Sequence, residues 1–271
     1  MVRRPDIRSK GSVLRWLQRS DVVADRIPSH LRALDVIIVL LTLPFALVVG
    51  GCLALAVLLD SPGPVFYRAT RIGRGGRPFE MLKFRTMRHG AVGPSLSAKH
   101  DARHTPLGRS LTASRLDELP QLWNVVKGDM RLVGPRPEVR EFVEAFPREY
   151  ETILSVPPGL TGPAQLDFAT EGRLLADVED RAAYYLTHLL PLKVAIDLTY
   201  AERHSALRDL RILMLTPLLP VQQAVIALRT VPTRSAGQPK QLALRAAPAV
   251  VLLFGVIALA GLLIADATGP L

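Results

Sequence analysis

Two adjacent carboxylates, Asp117 and Glu118, occupy the chemically most informative stretch of the chain. Neighbouring acids are common in proteins. They are usually solvated, or they lie at the start of a helix, where the helix dipole favours negative charge. Taken alone, the pair therefore predicts no chemistry, and its role has to be inferred from the residues around it.

Those surroundings are strongly basic. Between Arg68 and Arg88 there are seven Lys or Arg residues and a single acid, Glu80. A carboxylate among many cations suits phosphoryl chemistry, because the cations neutralise phosphate oxygens while the carboxylate attacks phosphorus or holds Mg²⁺. The candidates for phosphate contacts are Lys83, Arg85, Arg115 and Arg136.

Other polar residues are better interpreted as structural than as chemically active. His100 and His104 are four residues apart, which suits a metal, but they lie in a polar stretch with Pro and Gly and lack an obvious third ligand. We read them as loop residues. Asp129 and Glu138 are expected to brace the fold.

Composition points to an anionic surface or ligand. The chain has 271 residues, 34 Lys plus Arg against 24 acids, a net charge of +10, and 49% hydrophobic residues. Such a balance fits an anionic membrane or a phosphate ligand. Aromatic residues make up only 6%, which disfavours stacking on single-stranded nucleic acid. The single cysteine, Cys52, allows no disulfide within the chain.

The first apolar run, Val36 to Leu59, carries no charge and is long enough to cross a membrane. Its flanks favour another topology, since eight positive residues precede it in the basic N-terminal segment 1–35 and seven follow it by residue 88. The positive-inside rule requires both flanks on the cytoplasmic side. Pro44 removes a backbone donor and predicts a kink. We therefore favour a re-entrant membrane helix over 36–60 rather than a full span.

Further apolar segments follow the middle of the chain. Ala246 to Ala265 has positive residues before it and none after, which predicts a transmembrane helix beyond a linker at 230–245. Ile212 to Leu228 is interrupted by prolines and glutamines, so it is either an interfacial helix pair or a buried core helix. A cytoplasmic catalytic domain is expected over 61–229.

Within that domain the pattern predicts an α-rich α/β fold. Val65 to Ile72 and Phe79 to Thr86 are β-prone runs separated by glycines, so we expect a hairpin. Leu192 to Tyr200 is compatible with strand or helix. The expected helices are Leu116 to Val126 (with Ser114 as N-cap and Gly128 at its end), Val139 to Leu154, and Leu174 to Leu190.

Five ordered strings of the chain stand out. They are Lys83-Phe84-Arg85-Thr86-Met87, Asp117 to Met130 (DELPQLWNVVKGDM), Leu132 to Glu138 (LVGPRPE), Pro158-Gly159-Leu160-Thr161-Gly162, and Asp197-Leu198-Thr199-Tyr200. Together they resemble one known family, the bacterial sugar transferases, which are monotopic polyprenyl-phosphate phosphoglycosyl transferases. The resemblance runs from about Arg32 to Thr216.

The resemblance implies a reaction and a location. Asp117 would attack the sugar-linked phosphate of a UDP-sugar, expel UMP and form a covalent phosphosugar, which polyprenyl phosphate, such as undecaprenyl phosphate, would then accept. Mg²⁺ is implied at Asp117. Glu118 would handle a proton or orient the nucleophile, and the resemblance leaves both roles open. It also implies a membrane helix kinked at Pro44 and a catalytic domain on the cytoplasmic face of the bacterial inner membrane.

Departures from the family pattern bear on specificity more than on activity. Leu43 stands where serine is frequent, Thr112 replaces a common basic residue, and Ala164 to Phe168 differs from the commoner version. Two alternatives remain: a non-catalytic membrane scaffold for glycan assembly, and a nucleic-acid-binding protein, which the apolar segments disfavour. The sugar and any homo-oligomer are left open.

Overall fold

The computed structural model describes residues 29–93, 101–169, 171–175 and 178–219. Four sequence predictions lie outside these residues: most of the basic N-terminal segment, His100, the linker 230–245 and the transmembrane helix 246–265. The described part is rich in helices, with two small sheets and one long apolar helix near its start.

That helix, α1, runs from Ser29 to Asp60 and continues through Pro44. A straight helix of this length would measure about 48 Å. It is the one described helix long and apolar enough to cross a membrane. The hydroxyl of Thr42 donates to the carbonyl oxygens of Ile38 and Val39, at 3.0 Å each, in the turns that precede Pro44.

One face of α1 packs against the rest of the protein at five positions between its first and its last turn. Side chains of this face are buried at intervals of three or four residues or their multiples, which is the spacing of a single helix stripe. They are Leu31, Asp35, Val39, Ala46 and Val57. The opposite face is apolar and exposed, with Leu41, Leu47, Val48 and Leu59 among its members.

The predicted hairpin is confirmed. Strand β1 (Phe66–Ile72) pairs antiparallel with β2 (Pro78–Phe84), and Tyr67 lies opposite Lys83. The turn between the strands passes through Gly75 and Gly76, whose φ angles of 65° and 72° lie in the region that favours glycine.

The helix expected over 116–126 is divided. A 3₁₀ helix covers Leu116–Glu118, and α3 covers Gln121–Lys127. Pro120 separates them because it has no N–H to continue the first segment. Gly128 follows α3 with φ 93°, which confirms the predicted end.

The proposed N-cap at Ser114 was wrong. Ser114 is the last residue of an unpredicted helix, α2 (Pro106–Ser114), and its hydroxyl donates back to the carbonyl oxygen of Ser110 at 2.8 Å. The sequence predicts a loop at the start of α2, because the stretch around His104 is polar and contains Pro and Gly. In the structure Thr105 caps the helix, and Pro106 occupies its first turn.

Two other helix predictions had wrong boundaries. The segment expected as Val139 to Leu154 forms α4 (Arg140–Ala145) and α5 (Pro147–Ile153), with Phe146 between them at φ −132°, because the residue before a proline disfavours the helical region.

The helix expected over Leu174 to Leu190 is likewise interrupted. The segment contains the end of α7 (Glu171–Leu174), then α8 (Arg181–Tyr184) and a π-helical turn (Tyr185–Leu189). The turn leads into α9 (Leu190–Arg203), so the stretch 192–200 is helical.

The remaining elements complete the body. Strand β3 (Arg131–Val133) pairs in parallel with β4 (Gly159–Thr161), which is followed by α6 (Pro163–Asp167). Helix α10 (Ala206–Leu215) buries Ile212 and exposes Leu207 and Leu210. Beyond residue 219, the apolar stretch that begins at Ile212 lies outside the described residues.

A buried ion network joins α1 to this body. The guanidinium of Arg131 on β3 donates to Asp35 at 2.7 Å and to Asp209 at 2.9 Å, and the Tyr200 hydroxyl donates to Asp209 at 2.6 Å. One turn earlier in α1, Arg32 donates to the carbonyl oxygens of Val125, Val126 and Met130, at and just beyond the end of α3. The first turns of α1 are therefore held by charge as well as by apolar packing.

Candidate active site

The Asp117–Glu118 pair lies at a sharp change of chain direction. Arg115, between α2 and the 3₁₀ helix, has φ 58° and ψ 15°, and it is the only non-glycine residue with positive φ in the described part of the chain. A left-handed conformation costs an L-residue about 1–2 kcal/mol. The 3₁₀ helix that follows Arg115 places both carboxylates in the interior, where they are 6% and 8% exposed.

Three cations surround the carboxylate of Glu118. Its Oε1 accepts from Lys83 Nζ and from Arg136 Nη2 at 3.1 Å each, and its Oε2 lies 3.7 Å from Arg115 Nη1. Burial alone would raise the pKa of Glu118, but Lys83, Arg136 and Arg115 together hold that pKa well below its ordinary value. Glu118 is consequently a fixed anion.

Asp117 is far less engaged. Its one ion pair among the described residues joins Oδ2 to Lys83 Nζ at 3.5 Å. Burial raises the pKa of Asp117 and the neighbouring Glu118 raises it further, while Lys83 opposes the change. A desolvated carboxylate with few partners is the more basic of the two, and so it is the better nucleophile.

The backbone fixes Arg136 in this group. The backbone N–H of Gly134 donates to Thr161 O, and the N–H of Gly159 donates to Pro135 O, both at 2.9 Å. These hydrogen bonds fix the segment after β3 against β4. A side chain at Gly134 would meet the carbonyl oxygen of Pro157 at 2.6 Å, which is why only glycine fits there.

Of the four predicted phosphate contacts, the structure brings Lys83, Arg115 and Arg136 together around the pair. It does not bring Arg85 into this group. The buried Arg85 guanidinium donates instead to the backbone carbonyl oxygens of Val57, Ser61 and Pro62, at the end of α1. Arg85 thus satisfies carbonyls that the helix leaves unpaired.

Asn124 was not singled out in the sequence, although it supports the site. Its amide accepts from the Leu82 N–H at 3.0 Å and donates to Glu80 O at 2.8 Å and to Asp129 at 3.1 Å. It therefore ties α3 to the outer edge of β2, the strand that carries Lys83. A polar residue within the apolar run LWNVV was the available signal. Asp129 braces this contact, as predicted.

A second cluster of polar side chains contains Glu138, two residues after Arg136. Glu138, also predicted to brace the fold, accepts from the Tyr185 hydroxyl at 2.7 Å, and the buried Lys193 donates to that hydroxyl at 2.9 Å and to Glu171 at 2.8 Å. Burial raises the pKa of Asp197 to about 7, against the opposing effect of Lys193. Lys193 and Asp197 were not predicted as supporting residues, because Glu138 and Glu171, which Lys193 contacts, are distant in sequence.

The donor set decides what metal the site suits. The described residues contain no cluster of three or more His, Cys, Asp or Glu side chains that could hold an ion. Mg²⁺ is commonly bound by one or two carboxylates, with substrate phosphates and water as its other ligands. Asp117 offers such a carboxylate, since its oxygens are the less engaged ones, whereas Glu118 already accepts from cations. The site fits magnesium brought with a phosphate substrate.

Comparison with known proteins identifies a family whose model matches most of the chain. The family model described as bacterial sugar transferase matches residues 28–223. A UDP-glucose:undecaprenyl-phosphate glucose-1-phosphate transferase of Caulobacter vibrioides is 40% identical over 168 residues, which cover 60% of this chain and 59% of that protein. An exopolysaccharide production protein of Rhizobium leguminosarum is 35% identical over 202 residues, covering 71% and 92%.

A third relative is a UDP-N-acetylgalactosamine-undecaprenyl-phosphate N-acetylgalactosaminephosphotransferase of Aeromonas hydrophila. It is 39% identical over 143 residues, which cover 50% of this chain and 33% of that protein. The chain thus spans between a third and three fifths of the length of the Aeromonas and Caulobacter relatives.

Proposed function

Because the chain belongs to the bacterial sugar transferase family, we propose that it transfers a sugar 1-phosphate from a UDP-sugar to undecaprenyl phosphate. The observation that carries the proposal is the arrangement at the pair. A lightly engaged, buried Asp117 lies beside a Glu118 that gathers Lys83, Arg115 and Arg136. Such a site can neutralise two phosphate substrates that would otherwise repel each other.

In the first step, an Asp117 oxygen attacks the sugar-linked phosphorus. A phosphorus–oxygen bond forms, the bond to the nucleotide phosphate breaks, and its electron pair leaves with UMP. In the second step, an oxygen of the lipid phosphate attacks the same phosphorus and Asp117 leaves as a carboxylate. The product is a lipid diphosphosugar. The covalent relay lets each anion enter separately.

Glu118 acts as an orienting anion in this scheme rather than as a proton carrier. Because its pKa is lowered, Glu118 carries no proton to donate near neutral pH. Its hydrogen bonds hold Lys83 and Arg136 in the site. Asp117 would hold Mg²⁺ together with substrate phosphate oxygens, and the ion would supply further positive charge to them.

The test of the function is the release of UMP. Membranes containing the protein, given undecaprenyl phosphate and Mg²⁺, should release UMP from one or a few members of a panel of UDP-sugars. With the lipid omitted, the two-step scheme expects at most one UMP per protein molecule. Failure of every UDP-sugar to yield UMP would contradict the proposal and favour a non-catalytic scaffold.

We further propose that α1 enters and leaves the membrane on the cytoplasmic face of the bacterial inner membrane. The buried stripe of α1 supports this, because its early turns bind Arg131 while its last turn binds Arg85 of the same body. A straight span would carry one end about 30 Å away across the hydrocarbon. The exposed apolar face would then contact lipid.

This topology predicts the labelling of two engineered cysteines. In a Cys52→Ala background, cysteines placed at His30 and Gly90, both exposed, should resist a membrane-impermeant maleimide in intact spheroplasts and react after lysis. His30 lies in the first turn of α1 and Gly90 lies beyond its end, so their agreement reports that both ends are on the cytoplasmic side. Labelling of one position but not the other in intact spheroplasts would rule out the re-entrant helix.

A further inference from the structure

Arg71 is a cation of the site region that the scheme above does not use. It lies near the end of β1, opposite Phe79 on β2. The next residue, Ile72, donates its backbone N–H to Glu138 O at 3.0 Å, which places Arg71 beside the segment that carries Arg136. Because side chains alternate along a strand, Arg71 shares the hairpin face of Tyr67 and Lys83.

No hydrogen bond or ion pair joins the guanidinium of Arg71 to another of the described residues. Its Nε is buried without a hydrogen bond, and no carboxylate of the described residues lies within ion-pair distance of it. Glu138 is nearby but is taken by the Tyr185 hydroxyl, with Lys193 at 3.8 Å. Burial lowers the pKa of Arg71, the negative charge of Glu138 opposes the change, and the positive charge of Arg136 adds to it. A half-buried cation left unpaired is unfavourable unless an anion joins it.

Its position along the hairpin indicates which anion. The Lys83 end of the hairpin adjoins the end of α1, since Arg85 binds Ser61 and Phe84 packs with Val57. Arg71 lies four residues from the Lys83 pairing partner, about 13 Å between backbone positions. Both long side chains are on the same face of the hairpin, so their charged ends can converge on two phosphates that share an oxygen. A lipid phosphate is confined to the end near the membrane helix, whereas a nucleotide can extend away from it.

Resting on the proposed function, we infer that Arg71 binds the nucleotide-side phosphate of the UDP-sugar and stabilises UMP as it leaves. Lys83, Glu118, Arg136 and Arg71 would form a row in which the sugar-linked phosphate faces Asp117 and the second phosphate faces Arg71. Arginine suits this task because its planar fork can hold two phosphate oxygens and stays charged.

Replacement of Arg71 by glutamine tests the inference. Arg68→Gln is the matched control, because Arg68 is on the same strand but on its opposite, exposed face. In detergent-solubilised protein, Arg71→Gln should weaken the binding of UMP and UDP, measured by calorimetry, and lower kcat/KM for the UDP-sugar, each by about 10- to 100-fold. The kcat/KM for undecaprenyl phosphate should not change, because in a two-step covalent scheme it reports the second step alone. Arg68→Gln should resemble the wild type.

The outcomes separate this inference from the function beneath it. Wild-type UMP release with equal nucleotide affinity in both variants overturns the inference alone. A lowered kcat/KM for the lipid with unchanged nucleotide affinity also overturns it, since Arg71 would then serve the acceptor. If no UDP-sugar reacts, UDP binding still decides the role of Arg71. Should Arg71→Gln fail to fold, Arg71→Lys, which keeps the charge but loses the fork, should weaken UDP binding several-fold.

Discussion

Asp117→Asn should lower sugar-phosphate transfer on the order of 10⁴-fold, which is the scale of loss when a residue that acts in the chemical step is disabled. The amide has nearly the size of the carboxylate but is a poor nucleophile. Asp117 has one ion pair among the described residues, with Lys83, and Lys83 keeps its contact with Glu118 in the variant. We therefore expect the melting temperature to stay close to that of the wild type.

The measurement should follow the covalent step as well as turnover. With UDP-sugar labelled in the sugar and no lipid present, wild-type protein should retain label after denaturation, and Asp117→Asn should not. Glu202→Gln is the matched control and should behave as wild type, because Glu202 is an exposed carboxylate with no partner among the described residues. Retained label or substantial turnover in Asp117→Asn would show that another group is the nucleophile.

Arg131→Met should destabilise the protein more than any other single change considered. It leaves the carboxylates of Asp35 and Asp209 buried without their shared cation, and breaking a buried pair in this way costs about 3–5 kcal/mol. The free energy of unfolding can be followed by thermal denaturation in detergent micelles. Because α1 is held through Asp35, protease sensitivity within its first turns should rise in parallel.

Two comparisons make the result interpretable. Arg140→Met removes an arginine whose pair with Glu144, at 3.8 Å, is exposed, and it should cost less than about 1 kcal/mol. The triple variant Asp35→Asn, Arg131→Met, Asp209→Asn removes all three charges and should recover part of the loss. If Arg131→Met and Arg140→Met lower the melting temperature by the same amount, the buried network does not hold α1.

Local features were accessible from the sequence. Two β-prone runs separated by glycines predicted the hairpin, because alternation and turn chemistry act over a few residues. Charge density around Asp117 and Glu118 identified three of the cations that contact the pair. Gly128 correctly marked the end of α3.

What the sequence did not reveal depends on partners far apart in the chain. Arg131 meets Asp35 and Asp209 across 96 and 78 residues, so no local pattern links them. The positive charge of Arg85 predicted a phosphate contact, yet in the folded protein its guanidinium binds backbone carbonyl oxygens at the end of α1. The left-handed backbone at Arg115 is imposed by the junction of two helices rather than by residue type.

The anchoring of α1 at its early turns and at its end has a kinetic consequence. If the body cannot rise from or sink into the bilayer, the height of Asp117 above the lipid headgroups is constant. The acceptor then reaches the enzyme by lateral diffusion in two dimensions, and the encounter rate depends on molecules per unit of membrane area. Diluting the lipid carrier with inert phospholipid at constant bulk concentration would slow the second step, whereas the first step, fed from water, would be unaffected.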